Sequence, residues 1–114
     1  MDSIKYLVRV QIITDKCFFG TGIADLLLLV DETHSLHKAC EKMNMAYSKG
    51  WKIIKFAEKK LGFALLSSKV GGLNGGGSII TQSGREFLKC YLDFKEELKE
   101  SSDILFRKHF NNYL

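Results

Sequence analysis

The stretch SLHKACEKMNMAYSKGWKIIKFAEKK, residues 35–60, decides how the rest of the chain is read. Ser35 is a candidate N-cap, its hydroxyl placed to accept from the free N–H groups of a first helical turn. A short helix over residues 36–42 follows, and Met43-Asn44-Met45 breaks it, because Asn tolerates the left-handed backbone of a tight turn. A longer helix runs from about residue 47 to residue 60. Trp51, Ile54 and the pair Ala57/Leu61 are spaced to face a core, while Ser48, Lys49, Lys52, Lys55 and Lys59 fall mostly on the other side. Gly62 is placed to cap the C-terminus.

The flanking sequence completes the pattern. Downstream, Phe63 to Leu66 and Ser78-Ile79-Ile80 read as two short strands around a glycine-rich tip, residues 71–77, which makes a hairpin. Thr81 is placed to cap a last helix over residues 82–111, roughly 45 Å long at 1.5 Å per residue. Phe87, Tyr91, Phe94, Leu98, Ser101 and Leu105 on it are spaced as a heptad seam. Upstream, Ile4, Tyr6, Val8, Val10 and Ile12 alternate with polar residues as a half-buried strand, Thr14-Asp15-Lys16 is a turn, and Cys17-Phe18-Phe19 is a second strand. Thr21 is placed to cap a helix over residues 23–33 that is apolar nearly all round and so belongs at the centre of the core. The expected fold is mainly α with a small β component. It is a winged helix-turn-helix forming a single domain over residues 1–114, with N-terminal strands (1–22), helix-turn-helix (35–60), wing (63–80) and a long C-terminal dimerisation helix (82–111).

Composition narrows the function classes. The chain has 114 residues, 46% hydrophobic and 26% charged, the proportions of one ordinary folded domain. No apolar run approaches the roughly 20 residues of a membrane span, and no signal peptide is evident. Three widely spaced cysteines (Cys17, Cys40, Cys90) exclude a disulfide framework and point to a reducing, cytoplasmic compartment. The net charge of +4 is unevenly distributed: residues 1–34 carry −2, residues 35–85 carry +7 and residues 86–114 carry −1. A basic middle between acidic ends is the footprint of a face that binds a polyanion.

In a winged helix-turn-helix the second helix of the motif enters the major groove, the first braces it, and the hairpin reaches an adjacent groove or phosphate. Exposed Ser and Lys near the start of that helix suit base edges and phosphates. Trp51 is expected to be an ordinary buried aromatic that anchors the helix. Because the heptad seam outlasts the core available to one copy, the last helix is expected to pair with a second copy. The two recognition helices would then sit about 34 Å apart, one turn of DNA.

The segments Phe18-Phe19-Gly20-Thr21-Gly22, Leu26 to Asp31, Ser35-Leu36-His37-Lys38-Ala39, Met43 to Lys52 and Gly71-Gly72-Leu73-Asn74-Gly75-Gly76-Gly77 carry a resemblance. Together they are similar to the DNA-binding domain of the bacterial molybdate-responsive ModE regulators, over about residues 5–95. The short, stand-alone members that begin with a strand and an FFGxG segment are the most alike. The resemblance implies a regulator of transcription that dimerises through its first and last helices, binds operator DNA and is found with the nucleoid. DNA contacts are expected from Ser35, Tyr47, Ser48, Lys49, Lys52 and Lys55. Ser67 and Ser68 stand where the family commonly has an acidic and a basic residue, so a wing contact falls to Lys69 or Asn74. Dimer contacts are expected from Leu27, Phe87, Tyr91, Phe94, Leu98 and Leu105. Ala46 stands where the family usually has a capping Ser, and Gly50 replaces the usual Ala at a cost of roughly 1 kcal/mol in helix propensity. Full-length regulators carry molybdate-binding domains after the last helix, and before Leu114 there is no room for one. The expectation is therefore a ModE-like regulator without that domain.

Other chemistries fit less well. The glycine tract is followed by Ser78-Ile79-Ile80 and not by Lys-Ser or Lys-Thr opening a helix, so it is no nucleotide P-loop. His37 and Cys40 are three apart and could form half a metal site, but no paired ligands complete it, so no metal or cofactor is expected. No catalytic order of residues is visible, so the chain is not expected to be an enzyme. A second reading is a winged helix used as a protein-interaction module, which would bind an acidic partner through the same lysines.

Overall fold

The computed structural model describes residues 2–69 and 77–114. In chain order they form β1 (Ile12–Ile13), β2 (Cys17–Phe19), α1 (Thr21–Thr33), α2 (Leu36–Lys42), α3 (Tyr47–Leu61), β3 (Leu66–Lys69), β4 (Gly77–Ile80) and α4 (Gln82–Phe110), closed by a short 3-10 turn at Asn111–Tyr113. β1 pairs antiparallel with β2, and β3 with β4, Leu66 lying opposite Ile80 and Lys69 opposite Gly77. This is the mainly helical winged helix-turn-helix that the sequence predicts.

α1 lies at the centre because nearly every side of it is apolar: Ile23, Ala24, Leu26, Leu27 and Val30 are all buried. Around it close Phe18 and Phe19 from β2, Leu36, Ala39 and Cys40 from α2, Ile54 and Ala57 from α3, Leu65 and Ile80 at the base of the wing, and Leu88 and Tyr91 from α4. Ser35 accepts from the Lys38 N–H at 3.1 Å and Thr81 from the Gly84 N–H at 2.9 Å, so two predicted caps are present. Gly62 ends α3 at φ 83° and Asn44 makes the turn between α2 and α3 at φ 53°.

The remaining differences from the sequence reading have local causes. Gly20, not Thr21, occupies the cap of α1, and the Thr21 hydroxyl turns instead to the Lys95 ammonium at 3.3 Å. The predicted long first strand shrinks to β1. β2 ends where α1 begins, so residues 2–11 have no strand to pair with. They form an arm against α4: Val10 is buried, its carbonyl accepts from the Tyr91 hydroxyl at 2.9 Å, and Tyr6 packs on Phe106 and donates to Asp103. That hydroxyl, and then Lys99, hold the Asp103 carboxyl below the usual carboxylate range, so the tether is complete at neutral pH and lost on acidification. The first wing strand starts at Leu66, not Phe63. The turn before it is held by Glu58, whose carboxylate accepts from the Leu65 and Leu66 N–H groups at 2.7 and 3.2 Å.

Trp51 is the largest departure. The side of α3 that meets the core is the column Gly50, Ile54 and Ala57, and Trp51 is left 46% exposed. Gly50 thereby acquires a packing reason, since a Cβ there would overlap Cys40 Sγ and lie 3.4 Å from Met45 Sδ. Gly50→Ala should therefore destabilise by about 1–2 kcal/mol despite its better helix propensity. In a Cys40→Ala background the same change should become neutral or stabilising. Urea midpoints of the four proteins would measure that coupling, and strict additivity would contradict the packing account.

Candidate nucleic-acid interface

α3 presents a sharply divided surface. With Gly50, Ile54 and Ala57 inward, the opposite side carries Ser48, Lys52, Lys55 and Lys59, spaced 4-3-4, and all four are exposed. Among the described residues no ion pair engages Lys49, Lys52 or Lys59. Lys55 lies 3.2 Å from Glu58, and its ammonium sits 5.7 Å from the centre of the Trp51 ring. Several acidic residues elsewhere are already paired: Asp15 with Lys60, Asp31 with Arg85, Glu32 with Lys42. The Lys60 and Arg85 partners hold the Asp15 and Asp31 carboxyls below the usual range. Those acids are neutralised within the chain, while Lys49, Lys52 and Lys59 of α3 are left without an ion pair among the described residues.

The flank of α3 nearest the wing is aromatic. Tyr47 is 40% exposed and stacks flat on His37, ring centres 3.7 Å apart and planes 5° from parallel. Two clefts meet at Tyr47. One, about 210 Å³, is lined by Ser35, His37, Tyr47, Ser68 and Ser78. The other, about 110 Å³, lies between the Tyr47 and Trp51 rings and Ser67, Ser68 and Ser78 of the wing. The wing is tied to the body where the Ser78 N–H donates to the His34 carbonyl at 2.9 Å.

The structure thus brings Ser48, Lys52 and Lys55 onto one exposed side of α3, with Tyr47 on the flank toward the wing and Lys49 at the other edge. Ser35 is close by, but half buried and occupied as the cap of α2. Lys69 lies in β3 at the outer end of the wing ladder, and Asn74 falls outside the described residues. Ala46 begins α3 without a side-chain cap, as expected. The sequence reading missed Trp51, His37, Ser68 and Ser78. The signal for Trp51 was present: reading Gly50 as an inward position puts Gly50, Ile54, Ala57 and Leu61 on one helical stripe and turns Trp51 out. His37 and Cys40 do not converge on a metal site, because His37 lies flat on Tyr47 while Cys40 is buried with its thiol pKa pushed up by desolvation. Among the described residues no three metal-ligating side chains cluster, and no helix is long and apolar enough to cross a membrane.

Two of the expected dimer contacts are buried within the single chain, and a third is partly covered. Leu27 and Tyr91 are buried in the chain's own core, and Phe87 packs edge-on to Phe19 and Phe63. The heptad seam fails there because the first turns of α4 are consumed by β2 and the arm. Farther along, Phe94 and Leu105 are 54% and 53% exposed, and Leu98 is half covered beneath the arm.

Across 109 residues the chain is 26% identical to the molybdenum transport protein ModE of Azotobacter vinelandii, a match covering 92% of this chain and 39% of the relative. The chain is ModE-like. The resemblance runs through both helices of the motif and the wing, and the chain spans about two-fifths of the relative's length. No family model matches the sequence. Among solved structures, the BenM DNA-binding domain in complex with catB site 1 DNA superposes with a TM-score of 0.58 at 18% identity, covering 81% of this chain and 94% of that one. ArgP from Mycobacterium tuberculosis gives 0.52 at 24% identity, over 80% of this chain and 31% of that one. Those two likenesses establish that the ModE-like chain has the fold of winged-helix domains.

Proposed function

We propose that the ModE-like domain is a sequence-specific, double-stranded DNA-binding regulator of transcription that works as a homodimer in the bacterial cytoplasm. One observation carries this: the second helix of a helix-turn-helix exposes Ser48, Lys52, Lys55 and Lys59 in a column opposite its buried side. A helix so divided fits the major groove, its lysines reaching phosphates and its short polar and aromatic residues reaching base edges. Tyr47, Ser48, Lys49 and Lys52 are assigned to base edges and nearby phosphates, and Lys69 and Asn74 to the wing's side of the duplex. That the relative is a ModE protein and that one structural neighbour was solved on DNA both support the reading. Molybdenum, which the relative's name carries, is not attributed to residues of this chain.

Dimerisation is supported by shape. The radius of gyration is 17.5 Å and the longest dimension 61 Å, against about 13 Å expected for a compact domain of 100 residues. The excess is the outer half of α4, which carries exposed Ile104, Leu105 and Phe110, with exposed Phe94 just before it.

Binding titrations across a series of salt concentrations test the DNA assignment. Lys52→Ala should weaken binding to every duplex and reduce the slope of log K against log salt by about 1.8, one phosphate contact worth about 0.9 from each protomer of the dimer. Unchanged affinity and slope would overturn the assignment of Lys52 to the interface. An affinity indifferent to sequence and lost at physiological salt would favour an acidic protein partner.

A further inference from the structure

Trp51 is a tryptophan 46% exposed on the helix proposed to enter DNA, and phosphate binding gives it nothing to do. Its neighbours define what it can touch. Tyr47 stands one turn before it, Lys55 one turn after with its ammonium 5.7 Å from the ring centre, and Ser67, Ser68 and Ser78 of the wing face it across the narrow cleft. The indole offers an apolar face and one N–H donor but no acceptor. In a stacked duplex a ring on the flank of a recognition helix meets base edges, not base faces. The apolar group on those edges in the major groove is the C5-methyl of thymine. The lysines around it attract the backbone and, where they reach base edges, donate to guanine acceptors, but an ammonium cannot register a methyl group. An element on α3 that reads thymine must therefore come from its uncharged residues, of which Trp51 presents the largest exposed apolar surface.

We infer that Trp51, flanked by Tyr47, is a specificity-determining residue that packs on a thymine methyl in each half-site of the operator. This rests on the DNA-binding reading above. It assigns to the residue a base contact, where the sequence pattern alone placed it in the core. Because Trp51 lies outside the buried set, its removal leaves the fold in place.

The test uses the duplex recovered by selection from random sequences, with each thymine replaced in turn by deoxyuridine, which removes the methyl and nothing else. One symmetric pair of positions should weaken the wild-type protein about four-fold per half-site, the worth of one buried methyl group. Trp51→Ala should bind the thymine and uracil duplexes alike, with a thermal midpoint close to that of the wild type, and Trp51→Phe should restore part of the discrimination. A scan in which no uracil affects the wild type, or in which Trp51→Ala keeps the full penalty, would overturn the assignment while leaving DNA binding intact. A random pool that yields no enriched duplex would instead overturn the DNA reading, and this inference with it.

Discussion

Phe19→Ala is expected to cost about 3–5 kcal/mol, a large fraction of the roughly 5–15 kcal/mol that holds a domain folded. Phe19 is 1% exposed and meets Phe87 and Tyr91 edge-on, with ring centres 4.8 and 5.1 Å away. It is the point where β2, α1 and α4 join. Truncation removes a full aromatic ring and leaves a cavity whose walls are two other rings fixed by their own partners, Phe87 against Phe63 and Tyr91 through its hydrogen bond to Val10. Little collapse can fill that space, so the cost belongs at the upper end for such substitutions. Urea denaturation would measure it, with Phe94→Ala as the comparison. Phe94 is an exposed phenylalanine of α4, so its truncation should change the stability of the single chain little. A loss below about 1 kcal/mol for Phe19→Ala would show that β2 is not integral to the core.

The second large effect concerns assembly. Introducing Phe94→Glu and Leu105→Glu together should convert a dimer to monomers, seen by analytical ultracentrifugation, and should lower affinity for a two-site palindrome by about 100-fold or more. Two half-sites joined in one dimer bind as a linked pair, and separate monomers lose that effective concentration. Both residues are half exposed and lie outside the buried core, so each single chain should keep its fold and its affinity for one half-site. A protein that is already monomeric before substitution, or that keeps full affinity after it, would contradict α4 as the dimer contact.

How much was legible in the sequence depends on what set each feature. Caps and turns at Ser35, Asn44, Gly62 and Thr81 were readable because local chemistry decides them. The central place of α1 was readable from its continuous apolar character. What was misread was decided by neighbours distant in the chain. The alternation of residues 4–12 is that of a strand, but α1 starts directly after Phe19 and leaves the segment no strand partner, so it packs on α4 instead. Tyr91 and Phe87 have the spacing of a helix-pairing seam, yet β2 reaches them first. Gly50 read as a weakness in α3, whereas close approach of Cys40 requires it, and misplacing Gly50 is what misplaced Trp51. Gly84 is similar. A Cβ there would sit 2.7 Å from the Leu65 carbonyl oxygen, so glycine lets α4 start against the base of the wing.

The central claim is that the exposed side of α3 reads a DNA sequence. Selection of duplexes from a random pool, followed by anisotropy titration at about 150 mM salt, tests it most directly, because non-specific electrostatic binding is already weak there. The expected result is a palindrome whose half-sites lie about one helical turn apart, bound by the wild-type chain and lost when the lysines of α3 are replaced. A pool that emerges without enrichment, from protein shown to be folded, would contradict the claim and leave the lysine face to an acidic protein partner.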